Sequence, residues 1–271
     1  MPISEIQAAV LQVIAKNRSL ESYLGGATLI HAGAASPRVS KDLDIFHDDA
    51  DMVPRCAQAD AASLQAAGFT VQWVDQFPAF HRALASRGTD VVEIDWAADS
   101  AYRFFPLEPD PVFGFRLHSL DAATNKVLAF VGRFEMRDLV DCLYLHRRVL
   151  SLGALIWAAC GKDEGYTPER ILNEAQRRAR FNARDLEALN NLYWVRRPDP
   201  VKLRHSWEVA VSKAHKLVES LPPEELGCLF LDKTGKAVTP NPRRPEFRLL
   251  QRHRGTVRGV LPVVHEPRQR A

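Results

Sequence analysis

The spacing of apolar residues changes period once along this chain, and that change limits the folds open to it. In the first half, short segments alternate at every second position. They are Phe69-Thr70-Val71-Gln72-Trp73-Val74, then Phe80 to Leu84, then Val91 to Trp96, with a hairpin-like break at Arg87-Gly88-Thr89-Asp90. From Ser119 to about Leu221 the period becomes helical. Leu120, Val127, Leu128 and Val131 share one face, Leu139, Leu143, Leu145 and Val149 another, and further helices are predicted over 168–178, 185–192 and 200–221. Pro106, Pro109 and Pro111 lie between the two regimes and read as a linker. Upstream, Ile6, Val10, Leu11, Val13 and Ile14 predict an amphipathic helix capped by Ser4, and 51–67 predicts a helix ending at Gly68. This order predicts an α+β protein in which a mixed sheet with flanking helices precedes an α-helical C-terminal lobe. The expected divisions are 1–117, 118–225, and a basic, proline-containing, loosely ordered arm over 226–271.

One stretch in the first half carries chemistry. Gly25-Gly26 is followed by Ser40-Lys41-Asp42-Leu43-Asp44 on a predicted short strand. Side chains two apart on a strand point to one face, so Asp42 and Asp44 project together. Paired carboxylates repel unless a cation lies between them, and hard oxygen donors suit Mg²⁺, which takes one or two carboxylates plus substrate phosphates. Glycines upstream leave room for a backbone to approach a phosphate chain. Together these residues predict a site for a metal-bound nucleoside triphosphate. Asp48, Asp49 and Asp51 precede a helix, where carboxylates suit the positive end of its dipole. Lys41 alternates away from the two aspartates and reads as a solvated lysine.

The order of these residues resembles a known signature. Gly25-Gly26-Ala27-Thr28-Leu29 and Arg38-Val39-Ser40-Lys41-Asp42-Leu43-Asp44 are similar to the Gly-Gly-Thr-Ala-Leu … Arg-x-Ser-x-Asp-x-Asp pattern of AbiEii/AbiGii-type nucleotidyltransferases. These are toxins of type IV toxin–antitoxin and abortive-infection systems, and they include the MenT enzymes. Asn125 to Arg133 and Arg137-Asp138-Leu139-Val140-Asp141 resemble the family's second signature. In departures from the pattern, Ala27-Thr28 inverts the usual Thr-Ala, and Val127 replaces the usual Leu.

The resemblance implies a nucleotidyltransferase lobe and assigns roles by position. Asp42 and Asp44 would hold Mg²⁺, while Gly25, Gly26, Ser40 and Arg38 would contact the triphosphate. Lys126 would offset charge on the leaving pyrophosphate. Asp138 or Asp141 would supply a functional acid near that lysine, with Asp141 the preferred candidate. A third carboxylate from a neighbouring strand would be Asp95, with Glu93 on the same face as the alternative. The implied reaction moves a nucleoside monophosphate from NTP to an acceptor hydroxyl, most simply the 3′ end of tRNA or another RNA, with a cognate antitoxin as partner protein. A small-molecule acceptor such as an aminoglycoside, or a non-catalytic RNA-binding role, are the rival readings.

Composition fits this picture. Net charge is +3, and basic residues cluster at His146-Arg147-Arg148, Arg177-Arg178 with Arg180, and Arg196-Arg197. The arm adds Arg243, Arg244, Arg248, Arg252, Arg254 and Arg258. Cys56, Cys142, Cys160 and Cys228 are too scattered for a zinc site or a disulfide framework. No leader-like start and no membrane-length apolar run is present, which predicts a cytoplasmic protein.

Overall fold

The structure, a computed structural model, describes residues 3–33, 35–133 and 135–263. In chain order the elements of the first half are α1 (Glu5–Ile14), β1 (Ser22–Leu24), α2 (Gly26–Ile30), β2 (Asp42–His47), α3 (Met52–Ala66), β3 (Thr70–Phe77), β4 (Phe80–Arg87) and β5 (Asp90–Ala98). Then follow β6 (Tyr102–Arg103), β7 (Glu108–Asp110), β8 (Gly114–Arg116), α4 (Ser119–Arg133), α5 (Met136–Arg148) and α6 (Leu152–Ala159). The rest are α7 (Pro168–Arg177), α8 (Ala183–Asn190), α9 (Pro200–Val218), β9 (Cys228–Leu231), β10 (Gln251–Arg254) and β11 (Thr256–Val257). The class is α+β, with a mixed sheet, flanking helices and C-terminal helices.

The chain divides into two compact units. One comprises the chain through Ala101 with Pro106–Ala122 and Leu192–Arg197; the other comprises Tyr102–Phe105, Ala123–Asn191 and the chain from Pro198 onward. These divisions cross the expected boundaries, because short segments far apart in sequence join each unit.

The first unit is built on a seven-stranded sheet of order β3-β4-β5-β2-β1-β8-β7. β3, β4 and β5 form an antiparallel meander, β2 runs parallel to β5 and antiparallel to β1, and β1 is parallel to β8. Alternation decides which side is covered. Leu43, Ile45, Val92, Ile94, Trp96, Ala83 and Ala85 are buried with Val10, Leu11 and Ile14 of α1 and Val53, Ala57 and Leu64 of α3. The intervening residues Asp42, Asp44, Phe46, Glu93 and Asp95 lie on the opposite face and stay partly accessible. α1 starts where the sequence predicts, with a full capping box between Ser4 and Gln7. The proline-rich stretch read as a linker instead forms the β7–β8 hairpin at the sheet edge, where Pro109 needs no ladder donor on its outer side. Arg116 spans that hairpin to Glu108 at 2.9 Å and Asp110 at 3.2 Å.

Most of the charge inside this core is paired. Arg18 forms a buried ion pair with Asp60, which also accepts from Trp96 Nε1 at 2.7 Å and Asn17 Nδ2 at 2.8 Å. His47 closes the buried side of β2 with 0% exposure, and neither ring nitrogen has a hydrogen-bond partner.

In the second unit, α9 packs along α6 and α7. Buried Trp207 donates to Ala175 O at 2.8 Å and meets Phe130 edge-on at 5.2 Å between centroids. Every residue of α6 is buried, so it has no polar face and hence no helical period to read. The expected loose arm is corrected by the structure. Cys228–Leu231 are all buried in β9 and pair antiparallel with β10, while β11 pairs with β6. A short turn-rich strand pair spaced by about twenty residues leaves no periodicity, yet Leu229, Phe230 and Phe247 supply enough apolar surface to order it. Two of its arginines are structural: Arg252 pairs with Glu225 at 2.7 Å, and Arg254 donates to Leu226 O and Glu224 O. Pro267 and the rest of 264–271 lie outside the described residues. Cys142, Cys160 and Cys228 are buried free thiols, and Cys56 is partly buried.

Burial first, and then Arg18, lowers the His47 pKa from 6.5 to about 4. The unfolded chain therefore binds a proton between those values that the folded chain refuses, so stability falls as pH drops through that window. The expected loss is about 1.4 kcal/mol per pH unit, roughly 3 kcal/mol across it. Urea unfolding at a series of pH values should show this slope, and His47→Leu should flatten it.

Candidate active site

The accessible face of β2 gathers most of the residues singled out in the first half. The register sets Asp44 beside Asp95 and Asp42 beside Glu93, across the parallel β2–β5 pair. Four carboxylates thus occupy two adjacent rungs on one side of the sheet. Among the described residues, no group of three or more His, Cys, Asp or Glu side chains forms a ready cage for a metal ion. The reason is visible on the neighbouring strand. Arg82 of β4 forks onto Asp95, with Nε at 2.7 Å and Nη2 at 2.6 Å, and its Nε lies 3.4 Å from Glu93. The hydrogen bond to Asp95 is the largest influence on Arg82 and raises its pKa further. Asp95 therefore has both oxygens engaged, while Glu93 is the more exposed of the pair.

Asp42 and Asp44 are each held by their surroundings. Ser40 Oγ donates to Asp42 Oδ1, and Ser40 O accepts from the buried Gln7 Nε2 at 2.9 Å. Ala27 N–H, at the start of α2, donates to Asp44 Oδ2 at 3.3 Å, and Gly25 N–H donates to Asp44 O at 3.0 Å. Thr28 Oγ1 donates to Asp42 O at 2.5 Å, so the displaced hydroxyl of the Ala27-Thr28 pair ties α2 to β2.

The glycines have a cause that the sequence does not reveal. A Cβ on Gly26 would lie 1.7 Å from Asp44 Oδ2, and its φ of +61° is itself unfavourable for other residues. A Cβ on Gly25 would lie 2.6 Å from the Phe46 ring. The space left by the pair is thus filled by the two side chains of β2 that share a face. Gly25-Gly26 and Asp44-x-Phe46 are one packing unit.

Arg38 is buried in the same unit, with Nη1 donating to Val39 O at 3.4 Å, and its backbone bridges to Trp194. Lys41 is not simply solvated: its Nζ sits 3.8 Å from the centroid of the Tyr193 ring. Arg82, Gln7 and Tyr193 escape a sequence reading because each meets these segments only through strand pairing or chain return. Only the alternation of Arg82 between His81 and Ala83 on a predicted strand offered a signal.

Lys126, Asp138 and Asp141 form their own group in the second unit. Lys126 Nζ lies 3.0 Å from Asp138 and 3.3 Å from Asp141, and Arg133 forks onto Asp138 at 2.8 and 2.9 Å. Lys126 is 6% exposed and both aspartates 0%. Burial pulls the Lys126 pKa down, but Asp141 and Asp138 outweigh it and the net direction is up. Burial likewise raises Asp138, but Arg133 and Lys126 reverse the sign and lower it. Both ions of the Lys126–Asp138 pair are thereby kept charged. Of the basic clusters, Arg177 and Arg178 are engaged locally by Glu174.

No family model and no curated protein matches the chain. Among solved structures it is similar to an H. pylori protein proposed as a nucleotidyltransferase, at 16% identity and TM-score 0.46, covering 80% of this chain and 96% of that one. It is also similar to JHP933 from Helicobacter pylori, at 14% identity and TM-score 0.48, covering 80% and 93% respectively.

Two cations and two carboxylates balance in the Lys126 cluster, so removing one side exposes the other. Lys126→Met is expected to destabilise the chain by about 3–5 kcal/mol, since it leaves a buried carboxylate uncompensated. Lys126→Met with Asp141→Leu should recover part of that loss. Urea midpoints of the single and double variants check both expectations.

Proposed function

We propose that the first unit catalyses nucleotidyl transfer from a nucleoside triphosphate to an acceptor hydroxyl. The observation that carries this reading is the bracing of Asp42 and Asp44, side by side on the accessible face of β2 and each held by a hydrogen bond from the adjoining segment. The donor set fits Mg²⁺: hard carboxylate oxygens, few enough that phosphates and water complete the coordination. When bound there, the ion would offset charge on the triphosphate. The remaining steps fall to the chain. Ser40 borders the carboxylate pair, where it would contact the phosphates, while Gly25 and Gly26 instead seat Phe46 and Asp44. The acceptor oxygen attacks the α-phosphorus in line, the bond to the bridging oxygen breaks, and pyrophosphate leaves. Asp95, fixed by Arg82, would shape the charge at the edge of the site. Glu93, nearer to solvent, is the alternative acid for taking up the hydroxyl proton.

The finer assignments rest on the family resemblance. On that basis the acceptor is an RNA, the 3′ end of tRNA in the first instance, and the protein acts in the cytoplasm as the toxin of a toxin–antitoxin pair. The resemblance also assigns roles to Lys126, Asp138 and Asp141, which lie in the second unit. Among the described residues no helix is long and apolar enough to cross a membrane.

Incubation with Mg²⁺, total RNA and each α-labelled nucleoside triphosphate in turn should label RNA. Asp42→Ala and Asp44→Ala should each lower transfer by about 100-fold or more, with unchanged unfolding midpoints; wild-type turnover in either variant would refute the metal assignment. Gly26→Ala should also weaken Mn²⁺ binding in calorimetry, because its methyl would displace the Asp44 carboxylate.

A further inference from the structure

The segment Leu192–Arg197 lies far from the site in sequence but belongs to the same compact unit. Its backbone is anchored to residues 37–39. Val39 N–H donates to Tyr193 O at 2.8 Å, Val195 N–H donates to Pro37 O at 2.9 Å, and Arg38 and Trp194 form an antiparallel bridge. Such pairing fixes the segment's path and places Tyr193, Val195 and Arg196 at the surface. Tyr193 is 53% exposed and Val195 60%, and Arg196 and Arg197 follow at the surface. Lys41, between Ser40 and Asp42 in sequence, lies against the Tyr193 ring.

We infer that this strap is the docking surface for the single-stranded end of a nucleic-acid acceptor. The inference rests on the nucleotidyl-transfer reading of the neighbouring aspartates and adds the place where the acceptor is held. Three features identify the ligand class. An exposed aromatic ring offers a base a stacking partner without regard to its identity. Adjacent arginines and a lysine answer phosphates rather than an apolar peptide. Stacking on a protein ring requires an unpaired base, which selects a single strand over a duplex. The spacing also suits the chemistry. Arg38 and Asp42 are four residues apart, at most about 14 Å of extended chain, or roughly the length of four stacked nucleotides. A strand end stacked on the strap can therefore deliver its terminal hydroxyl to the carboxylate pair.

The test uses the full chain and a short fluorescent single-stranded RNA with a free 3′ hydroxyl, read by anisotropy, alongside calorimetry with Mn²⁺ and a non-hydrolysable triphosphate. Tyr193→Ala is expected to weaken RNA binding by about 10-fold. The Arg196→Ala/Arg197→Ala pair should weaken it similarly and reduce the salt dependence of what remains. Tyr193→Phe should retain affinity, and a blunt duplex of the same sequence should compete poorly. Triphosphate binding should be unchanged in every strap variant. The inference is overturned if RNA affinity survives both strap variants, if wild-type protein binds no single strand, or if the duplex competes equally. Each of those results leaves triphosphate binding at Asp42 and Asp44 standing. Loss of triphosphate binding in wild-type protein, with RNA binding intact and strap-dependent, would instead remove the transfer reading alone.

Discussion

The contact on which the rest of the site depends is the seating of the Asp44 carboxylate on the α-carbon of Gly26. Nothing larger than hydrogen fits there, and the left-handed backbone at that residue turns Ala27 N–H toward the same carboxylate. One residue type thus satisfies a steric demand and a conformational one together. It also fixes α2 against β2, since Thr28 Oγ1 binds Asp42 O on the same segment. The carboxylates are consequently restrained before any ligand arrives, which lowers the ordering cost of binding one.

Both units use a buried ion cluster for internal registration, although such pairs seldom add much net stability over apolar packing. In the first, Asp60 of α3 collects Arg18, Asn17 and Trp96, joining helix, turn and strand. In the second, Lys126 of α4 meets Asp138 and Asp141 of α5. What these clusters provide is specificity: a helix that slid by one residue would strand an ion in the core. Pairing with two carboxylates of its own unit is physically sufficient to explain the burial of Lys126.

Local periodicity made the meander, the opening helix, most C-terminal helices and the Asp42–Asp44 strand legible in the sequence. Three things were hidden. α6 is buried on all sides, so it lacks a polar stripe. The β7–β8 hairpin carries prolines that signal a linker unless the strand is known to lie at an edge. The β9–β10 pair joins segments separated by an irregular excursion, and only burial of Phe230 and Phe247 reveals it. At the site, the aspartates and glycines were legible because their spacing is short. Arg82 was not, because its partner Asp95 lies on the next strand and only register brings them together.

Electrostatics gives this face a division of labour. Asp42, Asp44, Glu93 and Asp95 concentrate negative charge on two rungs of the sheet, and Arg82 neutralises part of it. A bare triphosphate would be repelled by what remains, so an anionic ligand can approach only with a divalent cation, or along a flank of opposite sign. Lys41, next to Asp42 in sequence and set against Tyr193, begins such a flank, and the strap continues it past Pro37 to Arg196 and Arg197. A polyanion held on the basic side and a cation-bound anion on the acidic side would not compete for the same groups. On the proposed reading, two negatively charged substrates would then meet with the repulsion between them screened by protein charge.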